Sequence, residues 1–365
     1  MFFTRFIPQR GDAIYRKSIR LFNQFFGRAL CSIALAQFAR LANIPPNTSM
    51  IMKKLLLFAF LFISIPVIAA KGDAALDPEA AGPGFKIQGE YAGKGVGVQV
   101  IALGEGKFRA VVHEGGLPGD GWNKKNKIEL NGESTATGAA FPEMKGFKAT
   151  IAGGEMKLAE PGRDARTLKK VLRKSPTLGS KPPEGAIVLF DGTSAKNFKP
   201  GKMSEDKLLM QGANSIQRFG SHKLHIEFRL PYQPKGRGQG RGNSGCYMQA
   251  RYEVQMLDSF GLAGRDNECG GIYSIAAPDT NMCLPPLQWQ TYDIDFTAAK
   301  FDKDGKKTAN ARATVRHNGV VIHDNVELPK RTAASPLAEG PEPGFLHLQD
   351  HGNQVRYRNI WIVEK

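Results

Sequence analysis

From residue 84 onward, apolar and polar side chains alternate with a period of two, and no long 3.6-residue pattern appears after residue 71. Such alternation puts successive side chains on opposite faces of a strand, so the expected class is all-β. Val96, Val98 and Val100 form one set, and Phe108, Ala110 and Val112 a second. Ile128 with Leu130, and Ala149 with Ile151, mark further strands. Gly104-Glu105-Gly106, Gly119-Asp120-Gly121, Asn131-Gly132 and Gly153-Gly154 supply the turns between them. Residues 84–160 therefore read as a small β domain, folded as a meander. His113 and Trp122 in it read as structural. Residues 161–184 read as a basic linker ended by Pro176, Pro182 and Pro183, with one short helix over 164–174. A second domain spans 185–365, with strands expected at 186–190, 223–230, 245–257, 291–297, 311–317, 344–349 and 356–363. Asn318-Gly319 is a hairpin signal. Many antiparallel strands, each with one apolar face, imply a two-sheet sandwich.

Composition changes this picture little. The chain has 41 Gly and 22 Pro in 365 residues, which suits turns better than long helices. Its formal charge of +16 suggests an acidic partner, but half of it lies in residues 1–70, where nine Lys or Arg face Asp12 alone. The remainder is mildly basic and reads as a solvated surface, with no nucleic-acid partner expected.

Met52-Lys53-Lys54, an apolar run from Leu55 to Ile65, and Val67-Ile68-Ala69-Ala70 have the order of a signal peptide. The run falls short of the ~20 apolar residues that span a bilayer. Residues 50–70 are read as that signal, and the mature chain as periplasmic or secreted with no membrane attachment. The basic segment 1–49 is read as lying upstream of the physiological start. Cys31 falls in that leader. Cys269 and Cys283 flank an irregular loop that a disulfide would staple, and Cys246 reads as a buried thiol.

Alternation also sorts polar residues onto faces. Opposite Leu224, Ile226 and Phe228 stand His225, Glu227 and Arg229. Opposite Cys246, Met248, Ala250, Tyr252 and Val254 stand Tyr247, Gln249, Arg251, Glu253 and Gln255. Opposite Leu346 and Leu348 stand His347 and Gln349, with Asp350 and His351 following. Taken as one surface, these planar hydrogen-bonding groups suit a hydroxyl-bearing ligand; otherwise they make a salt-bridged outer face. The Gly-rich stretch 235–245 reads as a mobile cleft rim containing Asn243, with 268–271 and 284–289 as the other rim. Trp289 is a candidate for stacking on a sugar ring.

Several of these segments match a known family in order: LFDGT at 189–193, HIEFRLP at 225–231, GNSGCYMQARYEVQMLD at 242–258 and GGIYS at 270–274. QWQTYDIDF at 288–296, HNGVVI at 317–322, LQDHG at 348–352 and VRYRNIWI at 355–362 follow. Residues 186–365 resemble the 3-keto-disaccharide hydrolase family. The resemblance implies a concanavalin A-like jelly-roll sandwich and an exported protein acting on 3-keto glycosides. Phe198 in place of a common Trp, and the insertion at 235–242, depart from the pattern.

Two chemistries fit. A two-carboxylate glucanase needs a pair of carboxyls ~5–9.5 Å apart, for which Glu227 and Glu253 are the candidates. A 3-keto sugar needs one base to remove the acidified proton on carbon 2 and one group to stabilise the enolate. Glu253 or His351 would be the base. Arg251, or a divalent cation held by Glu and His, would be the stabiliser. His225, Tyr247, Gln249, Gln255, Asn243, Trp289, His347, Gln349 and Asp350 would bind substrate. A non-catalytic carbohydrate-binding module with the same face is the competing class.

Overall fold

The computed structural model describes residues 74–125 and 127–365; the leader and signal peptide read at 1–49 and 50–70 lie outside them. A five-residue helix, α1 (Pro83–Ile87), leads into eight strands. These are β1 (Gly89–Gly93), β2 (Val96–Gly104), β3 (Lys107–Glu114), β4 (Lys127–Thr135), β5 (Gly138–Met144), β6 (Phe147–Ala152), β7 (Glu155–Glu160) and β8 (Arg163–Val171). Each pairs antiparallel with the next, and β1 closes on β8 through Tyr91↔Lys170. The meander is thus a closed barrel, which leaves no free sheet edge. Tyr91, Val98, Val100, Phe108, Phe141 and Leu158 fill its interior, as expected for a barrel of this size.

The segment read as a linker with a short helix is corrected here: its first half is β8, the strand that completes the barrel. Leu168 is its buried contribution, while the Lys and Arg residues around it stay exposed or half-exposed. One inward apolar side chain among solvated cations fits a barrel strand. The same residues also place Ala165, Leu168 and Leu172 at helical spacing, so only pairing with β1 and β7 decides for the strand.

The outer wall of the barrel packs on the second domain. Ile101 and Val111 belong to the sandwich's own core. A buried polar chain runs beside them, from His113 Nε2 to Gln99 Oε1 (3.2 Å), from Gln99 Nε2 to Glu90 Oε1 (3.1 Å), and on to Arg173, whose Nε donates to Glu90 Oε2 (2.7 Å). Burial lowers the His113 pKa to about 3, with Lys127 and Arg173 adding to the shift, so the imidazole is neutral.

The second domain contains β9 (Ile187–Phe190), β10 (Phe198–Lys199), β11 (Leu209–Met210), β12 (Ala213–Phe219), β13 (His222–Arg229), β14 (Ser244–Met248) and β15 (Tyr252–Met256). After these come β16 (Trp289–Thr297), β17 (Lys300–Phe301), β18 (Lys307–Ala309), β19 (Ala311–His317), β20 (Val320–Leu328), β21 (Gly344–Leu348) and β22 (Arg356–Glu364). One sheet has the order β10-β12-β21-β14-β15; the other is β11-β22-β13-β16-β19-β20 with β9 on β22. Phe228, Tyr252, Tyr292, Phe296 and Tyr357 pack between them. The all-β sandwich expected from alternation is the observed fold.

One expected strand is really two. Residues 245–257 bend at Gln249 and Ala250, both at positive φ (52° and 54°), with Arg251 N–H donating to Met248 O (3.0 Å). Two consecutive residues at positive φ make the tight hairpin turn that joins antiparallel strands. Asn-Gly usually marks it, and neither residue is present here, so the turn was not visible in the sequence.

Candidate active site

The register of the five-stranded sheet sets four polar side chains in one row on its outer face. Asn214 of β12 pairs with His347 of β21, His347 with Tyr247 of β14, and Tyr247 with Glu253 of β15. The core residues Cys246, Leu348 and Val254 point the other way. Directly paired side chains on one face are neighbours, and these four touch in sequence. His347 Nδ1 lies 2.6 Å from Asn214 Oδ1. The His347 and Tyr247 rings are 5.0 Å apart. The Tyr247 hydroxyl hydrogen-bonds the Glu253 carboxyl, and Gln349 Nε2 donates to that hydroxyl (3.0 Å).

Glu253 is 2% exposed. Burial pushes its pKa up to about 8, against which the Tyr247 hydrogen bond pulls down. Burial also raises the Tyr247 phenol, with Glu253 adding to it, and lowers His347 to about 4. At neutral pH the row therefore holds a neutral imidazole, a protonated phenol and a carboxyl close to its own titration point. Such perturbed groups are the signature of acid–base sites. Gly245 makes room for the carboxyl: a Cβ there would stand 2.1 Å from Glu253 Oε1 and 2.7 Å from the Tyr247 ring.

A brace reaches this row from the barrel. The insertion at 235–242 is docked rather than mobile. Arg237 Nη2 donates to Leu103 O (2.7 Å) and Arg241 Nη1 to Ala102 O (3.2 Å), both on β2. Arg241 is fixed in turn by a buried ion pair with Asp258 (2.6 Å). Between the two arginines, Gln239 contacts Gln255 (2.9 Å) and accepts from Asn243 Nδ2 (3.0 Å). The Gln255 amide, with its nitrogen turned toward the carboxyl, donates to Glu253 Oε1 (2.8 Å).

The expected single surface divides in two. Tyr247, Glu253, Gln255, His347 and Gln349 share the five-stranded sheet's outer face. His225 and Glu227 lie on β13 in the other sheet and point outward on the far side of the sandwich, so Glu227 and Glu253 do not form a carboxylate pair. Alternation reports the face of a strand but not which sheet holds it. Glu227 instead pins the connecting segment: it accepts from Gly179 N–H (2.5 Å), Asn359 Nδ2 (2.9 Å) and Arg358 Nε (2.6 Å). Burial alone would raise its pKa, but bonds from His225, Asn359, Gly179 and Arg358 outweigh that and hold it at about 2. His225 is held by Asp293 (2.6 Å).

Arg251, expected as an oxyanion stabiliser, is committed elsewhere. Its guanidinium donates to Ala338 O (2.6 Å), Glu342 O (2.8 Å) and Gln249 Oε1 (3.2 Å), tying the hairpin turn to the segment before β21. Gln249 donates to Phe219 O (3.0 Å) and is structural too. Trp289 lies on β16 in the other sheet, under the guanidinium of Arg358 at 4.1 Å from its ring centre. Asp350 accepts from Gly352 N–H (2.7 Å), and His351 is exposed in the same loop. Cys246, Cys269 and Cys283 are buried free thiols, with Cys269 and Cys283 in mutual hydrogen-bond contact rather than bridged. Among the described residues, no three His, Cys, Asp or Glu side chains gather as a metal-ligand set.

Sequence reasoning missed Asn214, Gly245 and Gln239. Tyr273, whose N–H donates to Glu253 O (3.3 Å), was also missed. Tyr273 borders a cavity of about 280 Å³ that also includes Lys330, Arg331 and Thr332. Asn214 is the one with a sequence signal, since it alternates with the buried Ala213 and Ser215.

The site is thus a buried carboxyl in a polar row on the outer face of an antiparallel sandwich. Residues 185–363 match the domain described as "3-keto-alpha-glucoside-1,2-lyase-like domain", and the chain belongs to this 3-keto-disaccharide hydrolase family. Three similar solved structures are each described as a "putative glycosyl hydrolase" from Parabacteroides distasonis ATCC 8503. The first is 32% identical over 50% of this chain and 85% of that one, with a TM-score of 0.46. The second is 18% identical (53% and 98% covered, TM-score 0.36) and the third 17% (49% and 99%, TM-score 0.35). No curated protein matches the chain.

Proposed function

We propose that this protein cleaves the glycosidic bond of 3-keto glycosides by elimination, with Glu253 as the base. The observation that carries the reading is the lone buried Glu253 carboxyl, set opposite Tyr247 and poised near pKa 8. A two-carboxylate mechanism would need a partner across the bond, and the proposed partner, Glu227, faces away on the other sheet. A binding module has no use for a carboxyl kept buried against its own desolvation cost. The 1,2-lyase description of the matched domain supports the same chemistry.

A ketone at carbon 3 acidifies the proton on carbon 2. Glu253 takes that proton, and the electron pair passes to the carbon-3 oxygen as an enolate. Once Glu253 is protonated, the Tyr247 hydroxyl it held is released to donate to that oxygen, while His347, its N–H given to Asn214 Oδ1, positions the tyrosine ring. The enolate then collapses: the ketone re-forms, a carbon 1–carbon 2 double bond forms, and the bond from carbon 1 to the aglycone oxygen breaks. The proton held by Glu253 passes to that oxygen. Water adding across the new double bond gives net hydrolysis. No step is routed through a cation.

Export through 50–70, giving a periplasmic or secreted protein, is part of the proposal and is checked by the mature chain's intact mass. The test of the chemistry is turnover of a 3-keto glucoside in deuterated water. Wild-type protein should release aglycone, and Glu253→Gln should not; full release by the variant would overturn the assignment.

A further inference from the structure

One sizeable cavity lies away from the Glu253 row. It is a cleft of about 800 Å³ where the barrel, the connecting segment and the far face of the sandwich meet. Its lining includes five cations, Lys86, Lys170, Arg173, Lys174 and Arg358, and neither Asp nor Glu. The carboxylates that answer two of these cations stand behind the wall: Glu90 takes Arg173 and Glu227 takes Arg358. Among the described residues no carboxylate pairs with Lys86, Lys170 or Lys174, and the Lys170 ammonium donates to Lys86 O. Phe85, Leu178, Leu287 and the 66%-exposed Leu172 give the wall its apolar part.

Two side-chain amides in this lining each leave one buried atom without a partner: Gln88 Nε2, a donor, and Gln288 Oε1, an acceptor. Gln88 itself is 3% exposed, and its Oε1 is used by Ala102 N–H (3.0 Å). Unpaired buried polar atoms are uncommon and call for a reason. A hydroxyl both gives and accepts a hydrogen bond, so it answers either orphan. Arg358 sits over the Trp289 ring and gives its Nε–H to Glu227, which fixes the guanidinium in place and leaves its terminal N–H groups for a planar anion.

From these observations we infer that the cleft between barrel and sandwich is a second saccharide site, separate from the Glu253 row, that takes acidic oligosaccharides bearing uronate carboxyls. The apolar walls receive the C–H faces of the sugar rings. Lys86, Lys174 and Arg358 receive carboxylates, and the orphan amides receive hydroxyls. Although Lys170 is exposed as a residue, its ammonium is partly withdrawn from water over the Tyr91 ring, which lowers its pKa; an anion beside it would offset the penalty. Two separated sites on one chain would hold an acidic glycan in the cleft while its end is worked on elsewhere.

The test is calorimetric titration of the full chain with a tri-uronate, with a neutral trisaccharide of the same length, and with inorganic phosphate. The tri-uronate should bind and the neutral trisaccharide should bind roughly tenfold more weakly or not at all. Its affinity should fall several-fold as salt rises from about 0.05 to about 0.3 M, because exposed charges are screened over shorter distances. The double variant Lys86→Glu/Lys174→Glu, made at two exposed positions, should lose tri-uronate binding while keeping wild-type thermal unfolding and any activity on a neutral 3-keto glucoside. Equal binding of the neutral sugar, displacement by an equal concentration of phosphate, undiminished binding by the variant, or no tri-uronate binding would each overturn the inference. None of these readouts depends on Glu253 being a base.

Discussion

Tyr247 and Glu253 are directly opposed across the β14–β15 hairpin, and the tyrosine hydroxyl hydrogen-bonds the carboxyl. The pairing makes the carboxyl's titration readable. If Glu253 acts as a base, kcat/KM for a 3-keto glucoside should rise with pH and level off above an inflection near 8. Tyr247→Phe removes the bond that holds that value down, so its inflection should move to higher pH. A pH–rate profile of both proteins checks this; a flat profile between pH 6 and pH 9, a window of about one unit or more either side of the inflection, would contradict it.

The same carboxyl should cost stability in alkali. Its folded pKa, about 8, lies above the ordinary 4.5, so the folded state holds its proton where the unfolded state has lost it. The penalty is absent below the unfolded value and grows as pH rises from 4.5 to 8, reaching at most roughly 4–5 kcal/mol. Glu253→Gln should therefore match wild type in urea unfolding near pH 4 and exceed it near pH 8.5.

Gly245→Ala should act on the site more than on the fold. The added methyl would meet the Glu253 carboxyl and the Tyr247 ring, two side chains rather than backbone. Activity should fall by about tenfold or more, as misplaced catalytic groups commonly cost, while circular dichroism stays that of a sandwich. Retained activity would mean the carboxyl's position is not what matters.

Glu227→Gln should be structural, not catalytic. Glu227 receives Gly179, Asn359 and Arg358 at once, and breaking a buried charge network costs about 2–4 kcal/mol once the partial exposure of Arg358 is allowed for. Its folded pKa, about 2, is below the ordinary 4.5. Its stabilisation is thus complete above 4.5 and lost as pH falls toward 2. Acid should free the connecting segment, read as faster proteolysis near residues 175–180, and the variant should show this already at neutral pH.

The fold was legible because both domains obey the period of two, and the composition of each strand agreed with its place. The site was half legible. Tyr247, Glu253, His347 and Gln349 follow from parity alone, since the three-residue connection 249–251 sets Met248 opposite Tyr252 and so preserves which face odd and even positions take. Glu227 and His225 obey the same parity yet face the opposite side of the molecule, because strand order depends on long-range pairing that no local pattern carries. Arg251 looked chemical as a residue type, but three acceptors claim it. The 164–174 segment, expected as a short helix, carries Leu168 and Leu172 four apart, and only closure of the barrel makes it a strand with one buried leucine.

Strand order has one more consequence. β9 opens the sandwich and β22 comes last in it, yet the two are hydrogen-bonded neighbours, and β22 also pairs with β13 and β11. The seven-stranded sheet cannot be assembled in the order in which it is synthesised. Until residue 364 is available, β13 has one empty flank and β9 has no partner, so this sheet is completed by its most distant contact. Loops this long close slowly, and a growing chain will leave the exposed edges of β9 and β13 open to mispairing. The eight-stranded barrel, whose closing pair spans fewer residues, needs no strand of its neighbour to close, and it carries Ile101 and Val111, the side chains it lends to the sandwich core.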